Sequence, residues 1–238
     1  MAEAAPIVLW QLGPCWGMPS GSPFCTKLET WLRMVELPYE ARVITGLPRS
    51  ATRKAPYVEL ADGRRIADSG VIIETLTAER GVTLDEGLDA RQQALALALT
   101  RLLEDHLYWA IVWDRWAVDE HWAQTRPAYF GTLPVPLRWL VPGLARRGVR
   151  RSLHGQGFGR MTDDAILARA ERDLAALAAL LGDQEHWLGR PSSLDATAHA
   201  FLAAVARPPF GGPLQRAIAR HPNLTAFCER IEAKWWSR

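Results

Sequence analysis

The sequence predicts a small α/β domain followed by an all-helical domain. Up to about residue 82, short strand-like runs alternate with helical stretches, whereas beyond it apolar residues recur only at helical spacing. The chain has 238 residues, which is enough for two modest domains. We therefore expect an α/β domain over residues 1–82 and a helical domain over residues 83–238.

The first predicted elements are a strand and a helix separated by a Gly/Pro-rich loop. An apolar run over residues 7–12 is short enough to be a buried strand. Apolar residues then recur at helical spacing, with Ser22 where an N-cap belongs and Pro23 at the first helical position, where a missing N–H is tolerated. A half-buried, alternating strand follows over residues 39–44, and the polar segment 45–54 has room for at most one short helix.

A β-hairpin and a short helix complete the first domain. Residues 56–67 predict two strands joined by Asp62-Gly63, a residue pair that tight hairpin turns favour. Asp68 and Ser69 then precede apolar residues at helical spacing, as at a capped helix start. The predicted order is β-α-β-(α)-β-β-α.

The second half predicts amphipathic helices on both sides of an irregular middle. We expect residues 125–160 to be irregular, with a short helix over residues 137–144 at most, because prolines and glycines interrupt them. Ser192–Asp195 is a capping box, in which the acid can accept a hydrogen bond from the cap residue's N–H. The predicted apolar faces are Leu95, Leu99, Leu102, Leu103, His106, Ala110 and Trp113; Ile166, Ala170, Leu174, Leu177 and Leu181; Ala198, Phe201, Leu202 and Val205; and Leu224, Phe227, Cys228, Ile231 and Trp235.

Composition and charge exclude several classes of function. The net charge of +2 gives no argument for nucleic acid, and no apolar stretch approaches the roughly 18 residues of a membrane span. Three cysteines make neither an even disulfide framework nor a metal-ligand spacing, so we expect no metal and a reducing compartment. The start of the chain lacks a basic segment followed by an apolar core, so we expect no leader and a cytoplasmic location.

Two compositional features concern ligands. The eleven tryptophans suit an apolar ligand pocket. The basic run from Arg146 to Arg151 is either an anion site or, as such charge blocks usually are, a solvated helix end. Both alternatives stay open at this point.

The loop over residues 13–21 leads to a predicted helix start that carries a hydroxyl and a thiol. Ser22 and Cys25 lie where the free N–H groups and partial positive charge of a helix N-terminus favour a bound anion or thiolate. Ser22 can face a ligand or cap the helix, and Cys25 can be reactive or simply a small buried residue. We expect Cys15, in the same loop, to be a bystander and Cys228 to belong to the core.

These motifs resemble those of the glutathione transferase superfamily. The element order, Pro56 at the third strand and Asp68-Ser69 at the third helix are similar to its thioredoxin-like half, and the capping box is similar to a motif of its helical half. More narrowly, four segments resemble the failed-axon-connections group, the metaxin-related branch: MPSGSPFCTKLETWLRMVELPYE, LLEDHLYWAIVWDRW, HGQGFGRM and HPNLTAFCERIEAKWW.

The resemblance implies a glutathione site in the first domain. The Ser22 hydroxyl would hydrogen-bond the sulfur and favour the thiolate, which is the nucleophilic form. A cis Ala55–Pro56 bond would present the backbone of Ala55 to the cysteinyl unit of glutathione. Ser69 would bind the γ-glutamyl carboxylate, with Asp68 near the ammonium group.

The resemblance also implies a second-substrate pocket between the domains. The enzyme would be a glutathione transferase that conjugates glutathione to a small apolar electrophile. Candidate pocket residues, each of which could instead be core, are Tyr108, Trp109, Trp113 and Trp116.

Two other functions remain open. One is a non-enzymatic metaxin-like binding or scaffold protein, in which the long loop over residues 13–21 could obstruct the cleft. The other is a glutathione-dependent thiol-disulfide oxidoreductase that uses Cys25. The superfamily resemblance further implies a possible homodimer.

Overall fold

A four-stranded mixed sheet forms the first half of the chain. The computed structural model describes residues 7–237. Residues 1–6 of the first proposed domain, on which the expectation of no leader partly rests, and residue 238 of the second lie outside this range. The sheet order is β2-β1-β3-β4, with β1 parallel to β2 and antiparallel to β3, and β3 antiparallel to β4. The strands are β1 (Ile7–Gln11), β2 (Tyr39–Val43), β3 (Tyr57–Glu59) and β4 (Arg65–Ala67).

Two helices cover this sheet, as the sequence predicts. Helix α1 spans Pro23–Met34 and helix α2 spans Ser69–Arg80. The two share a core with the strands, formed by buried residues that include Leu9, Leu28, Trp31, Leu32, Val58, Ile72 and Leu76. The predicted hairpin is confirmed, and residues 45–54 contain no helix.

Strand β2 differs from the prediction of a half-buried strand. It lies at the edge of the sheet, and residues 40–43 are exposed. The alternating pattern of its sequence therefore does not reflect a buried face, and its charged residues Glu40 and Arg42 pair with each other at 2.8 Å.

The second half is helical throughout. A π-helical turn, Leu102–Leu107, joins α3 to α4, and a short 3-10 turn, Phe158–Arg160, follows α6. The helices are α3 (Ala90–Arg101), α4 (Tyr108–Trp116), α5 (Asp119–Phe130), α6 (Leu137–Gln156), α7 (Asp163–Leu181), α8 (Ser193–Ala206), α9 (Pro213–Ala219) and α10 (Pro222–Trp235).

The π-helical turn changes the apolar face predicted for the first long helix. A π turn holds more residues than an α turn, so the face that follows it is rotated. Leu99, Leu103, Ala110 and Trp113 are buried as predicted, but Leu95, Leu102 and His106 are only half-buried. Leu107 and Ile111 fill the core in their place.

The prediction of an irregular middle is wrong. Helix α5 runs to Phe130, and α6 extends over 20 residues from Leu137 to Gln156. Each contains a proline, Pro127 in α5 and Pro142 in α6. A proline removes one backbone hydrogen bond, and the other bonds of these helices keep them continuous.

Helix α8 is the centre of the molecule and confirms the capping box. The backbone N–H and the hydroxyl of Ser192 both donate to Asp195 Oδ2, each at 2.8 Å. Helix α8 is buried over almost its whole length and packs against α1, where Trp31 Nε1 donates to Ser193 Oγ at 3.0 Å. The predicted apolar faces of α7 and α8 are buried, as is that of α10 except for the half-buried Trp235.

Candidate functional site

A cavity of about 770 Å³ lies between the sheet-containing half and the helical half. One wall comes from the start of α1, the segment before β3 and the start of α2; the other comes from the π-helical turn, α4 and α6. Of the site residues predicted from the sequence, the cavity brings together Ser22, Ala55, Pro56, Asp68, Ser69, Tyr108, Trp109 and Trp116.

Ser22 occupies the N-cap position of α1, but its hydroxyl does not cap the helix. The residue is extended, with φ −101° and ψ 124°, and its side chain makes no hydrogen bond to the first turn. The hydroxyl lies beside the Cys25 thiol. The capping role that the sequence left open is therefore not seen.

Cys25 lies behind Ser22, out of reach of the cavity. It is fully buried and does not line the cavity wall. Burial raises the pKa of its thiol, and the polar groups of Leu12, Ser22 and Ser20 beside it only partly oppose this. This environment agrees with the packing alternative and disagrees with a thiolate nucleophile, because burial disfavours the charged form.

The other two cysteines are also buried free thiols. Burial raises the pKa of Cys15 to about 11, although the nearby Arg115 opposes the shift. Burial likewise raises the pKa of Cys228, to about 12. Neither thiol is activated, as expected for a bystander and a core residue.

The segment before β3 and the start of α2 carry the remaining predicted residues of this wall. The Ala55–Pro56 peptide bond is cis, as the resemblance implies. Asp68 caps α2, because its Oδ1 accepts hydrogen bonds from the N–H groups of Gly70 at 2.9 Å and Val71 at 3.3 Å. Within residues 7–237, Asp68 Oδ2 and the hydroxyl of the buried Ser69 have no hydrogen-bond partner, so both are available to a ligand.

The opposite wall is aromatic, but it excludes one predicted residue. Tyr108, Trp109 and Trp116 line the cavity. Trp113 does not, since it is buried in the helical core and its Nε1 donates to Asp163 Oδ1 at 2.8 Å. The sequence predicts four aromatic residues here because they crowd one short segment, whereas the helix directs Trp113 towards α7.

Arg115 is a cavity residue that the sequence analysis missed. It is buried, and its Nη1 donates to the carbonyl oxygen of Gly21 and to Tyr129 Oη, both at 2.8 Å, while its Nη2 donates to the carbonyl oxygen of Ala204 at 2.7 Å. No carboxylate in the described part of the chain pairs with it. This buried guanidinium therefore leaves uncompensated positive charge next to Ser22.

Tyr129 and the loop over residues 13–21 complete this corner. Tyr129 Oη donates to the carbonyl oxygen of Gly21 at 2.5 Å and lines the cavity. The loop folds back on itself through paired backbone bonds between Cys15 and Met18, and Trp16 packs on Tyr129 with ring centroids 5.8 Å apart. The loop is thus held against the helical half and, apart from Gly21, does not line the cavity, so the obstruction that the scaffold alternative allows is not seen.

A buried ion pair joins the two walls. Lys27 Nζ of α1 lies 2.7 Å from Glu104 Oε1 of the π-helical turn, and both side chains are largely shielded from solvent. Glu104 lines the cavity. No local sequence pattern indicates this pair, since the partners are 77 residues apart.

Both halves of the chain match known families. Residues 23–122 match the family described as "Glutathione S-transferase N-terminal domain". Residues 170–231 match the family described as "Glutathione S-transferase, C-terminal domain".

Individual relatives point the same way. The chain is 31% identical to the isoprene-epoxide glutathione S-transferase of Rhodococcus sp. (strain AD45), over 96% of this chain and 99% of the relative. It is 31% identical to failed axon connections of Drosophila melanogaster, over 96% of this chain but only 57% of the relative. Metaxin-1 of Macaca fascicularis is 29% identical, over 96% of this chain and 74% of the relative.

Solved structures share the fold. A glutathione S-transferase from Methylobacterium radiotolerans, solved with glutathione sulfonate, superposes with a TM-score of 0.61 at 22% identity and covers 97% of this chain and 92% of its own. A glutathione S-transferase of Ceriporiopsis subvermispora, solved with glutathione, has a TM-score of 0.66 at 14% identity and covers 97% of this chain and 100% of its own. From these matches, the chain belongs to the glutathione S-transferase superfamily and is a homologue of failed axon connections and the metaxins.

Proposed function

We propose that the protein binds glutathione in the cavity and conjugates its thiolate to a small apolar electrophile. One observation carries the proposal: Ser22, the cis Ala55–Pro56 step and the start of α2 lie along one wall of a cavity whose other wall is aromatic. The first wall offers hydrogen-bonding groups to a peptide-like ligand, and the second offers apolar surface to its reaction partner.

The sulfur end of glutathione belongs next to Ser22. Its hydroxyl makes no hydrogen bond with the residues of the described range, so it is free to donate to a bound thiolate, a strong acceptor. Arg115 lies behind Gly21 with no carboxylate partner among the described residues, so its charge favours an anion in this corner. Both effects lower the pKa of the bound thiol and raise the fraction of nucleophile at neutral pH.

The γ-glutamyl end belongs at the start of α2. The hydroxyl and N–H of Ser69 can donate to its carboxylate, which also benefits from the partial positive charge of the helix N-terminus. The unpartnered Asp68 Oδ2 can accept from its ammonium group. Between the two ends, the backbone N–H and C=O of Ala55 can pair with the cysteinyl unit.

The electrophile belongs against Tyr108, Trp109 and Trp116. The name of the Rhodococcus relative, an isoprene-epoxide transferase, supports a small apolar epoxide as the substrate class. In such a reaction the sulfur–carbon bond forms as a ring carbon–oxygen bond breaks, and the resulting alkoxide takes a proton from water. The buried position of Cys25 gives no support to a thiol-disulfide function.

Calorimetric titration with glutathione tests the proposal. We expect binding by the wild-type chain, and a Kd at least about tenfold weaker for Ser69→Ala, since hydrogen bonds to a charged group are worth ~1.5–3 kcal/mol. Thr75→Ala is the matched control, because it removes a hydroxyl from the same helix at a position outside the cavity. Absence of binding at millimolar glutathione would refute the proposal and leave the scaffold function as the alternative.

A further inference from the structure

The solvent side of α6 carries an unusual row of exposed side chains. Five residues at helical spacing fall on one stripe, apolar in the first half of the helix and basic in the second: Leu137, Leu140, Leu144, Arg147 and Arg151. Leu140 is 62% exposed and Leu144 68%, and the neighbouring Val135 and Trp139 are 61% and 64% exposed. A cluster of this kind marks an interaction surface more often than ordinary surface.

The charge around these apolar residues has a single sign. Helix α6 contains five arginines and no acidic residue. Arg146 is committed to the protein, since its Nη2 lies 2.6 Å from Asp119 Oδ1. The others, Arg138, Arg147, Arg150 and Arg151, make no ion pair with any residue between 7 and 237.

We propose that this face of α6 docks on the surface of an anionic lipid bilayer. We call it the α6 face, and it consists of Val135, Leu137, Trp139, Leu140, Leu144, Arg147, Arg150 and Arg151. Interfacial helices combine exposed leucine and tryptophan, which enter the boundary of the acyl chains, with arginines that meet headgroup phosphates. No helix in the described part of the chain is long and apolar enough to cross a membrane, so the α6 face would lie on the bilayer.

A second copy of the chain fits the α6 face less well. A two-fold symmetric contact places the same patch on both partners. It would place the arginines of one copy against arginines or leucines of the other, with no acid on α6 to pair with them. Phosphate headgroups supply the missing negative charge.

The position of α6 places the docked surface next to the cavity. The inward side of the same helix contributes Ala145, Val149 and Ser152 to the cavity wall. Docking would therefore place the cavity beside the bilayer, where apolar electrophiles accumulate. This consequence rests on the proposed conjugation, whereas the docking itself does not.

Co-sedimentation with unilamellar vesicles tests the docking, with glutathione absent so that the result is independent of catalysis. The wild-type chain is expected to sediment with vesicles of phosphatidylcholine containing one quarter phosphatidylglycerol, to remain in solution with pure phosphatidylcholine, and to be released by salt. Leu140→Ser/Leu144→Ser and Arg147→Gln/Arg151→Gln should each weaken binding by about tenfold or more.

Matched controls separate the α6 face from general surface effects. Leu97→Ser/Leu180→Ser removes two exposed leucines from other helices, and Arg91→Gln/Arg169→Gln removes two exposed arginines. Both should bind vesicles as the wild type does. The proposal is overturned if the wild type stays in solution with anionic vesicles, or if the α6 variants bind as tightly as the controls. It is also overturned if the wild type forms a dimer and binds no vesicles, and Leu140→Ser/Leu144→Ser dissociates that dimer. The α6 face would then be a protein interface.

Discussion

At the scale of single residues, the structure separates two roles that the sequence leaves combined at Ser22. The hydroxyl makes no capping bond to α1, although the residue stands at the N-cap. Loss of a true cap costs ~0.5–2 kcal/mol of stability, but here no such bond exists to lose. Ser22 can therefore be altered to test its effect on the sulfur with little effect on the fold.

Ser22→Ala is expected to lower turnover by about tenfold or more, since a hydrogen bond to a charged group is worth ~1.5–3 kcal/mol. Its midpoint of unfolding in urea should stay close to that of the wild type. Steady-state conjugation of glutathione to an apolar epoxide measures the first quantity, and fluorescence-detected unfolding measures the second.

Cys25→Ser is the informative comparison for that experiment. It places a hydroxyl where a fully buried thiol stood, so it should reduce stability while most turnover remains. Full turnover in Ser22→Ala together with its loss in Cys25→Ser would assign the chemistry to the cysteine instead.

Individual residues also show where sequence reasoning ends. Ser22, Ala55, Asp68 and Ser69 could be located from the sequence because each sits beside a local signal, a cap position or a proline. Arg115 could not, since the carbonyl groups that hold it belong to Gly21 and Ala204, 94 and 89 residues away. Only its place among the aromatic residues before it hinted at a role.

At the scale of the elements, the spacing of buried residues around the π-helical turn departs from the 3.6-residue period of an α-helix. The fully buried series Leu99, Leu103, Leu107 and Ile111 repeats every four residues. Such a repeat drifts off one face of an α-helix, which has 3.6 residues per turn, and suits a locally wider turn. The prediction of an irregular middle is the opposite error, because α5 and α6 each contain a proline and still continue as helices.

The π-helical turn is held against α1 by the Lys27–Glu104 pair. Removing one partner of a buried ion pair leaves the other charge uncompensated, so Lys27→Met should lower the free energy of unfolding by about 3 kcal/mol or more. Replacing both partners, Lys27→Met/Glu104→Leu, should recover most of that loss. Urea denaturation of the two variants and the wild type measures both effects.

The adjacent exposed pair is a natural control for this test. Arg101 and Asp105 lie 3.7 Å apart at the surface, and Asp105 directly follows Glu104 in the π-helical turn. Arg101→Met should cost at most about 1 kcal/mol, as exposed ion pairs usually do. Equal losses in Arg101→Met and Lys27→Met would contradict the buried role assigned to Lys27.

At the scale of the whole molecule, the order of an α/β half followed by a helical half follows from the sequence, while the way the halves join does not. Periodicity and turn residues are local, so they predict which elements form. The contact between α1 and α8 depends on residues far apart, such as Thr30 and His199, whose Oγ1 and Nδ1 lie 3.2 Å apart. The division at residue 82 stays a prediction.

The contact between α1 and α8 leads to a last prediction, on cooperativity. Ala196 of α8 belongs to the core around the sheet, whereas Phe201 of the same helix belongs to the core of the helical half. Since one helix contributes to both cores, neither half should unfold alone. Calorimetry should show one transition, with equal calorimetric and van't Hoff enthalpies.

Thr30→Val is a more specific test of that prediction. It removes the hydrogen bond to His199 while the side chain at position 30 keeps nearly the same shape. A buried polar group left without a partner costs about 1–3 kcal/mol, so the midpoint should fall by a few degrees. The transition should remain single, since the lost contact is shared by both halves. Two resolved transitions, in the wild type or in Thr30→Val, would show that the halves are independent and that α8 does not couple them.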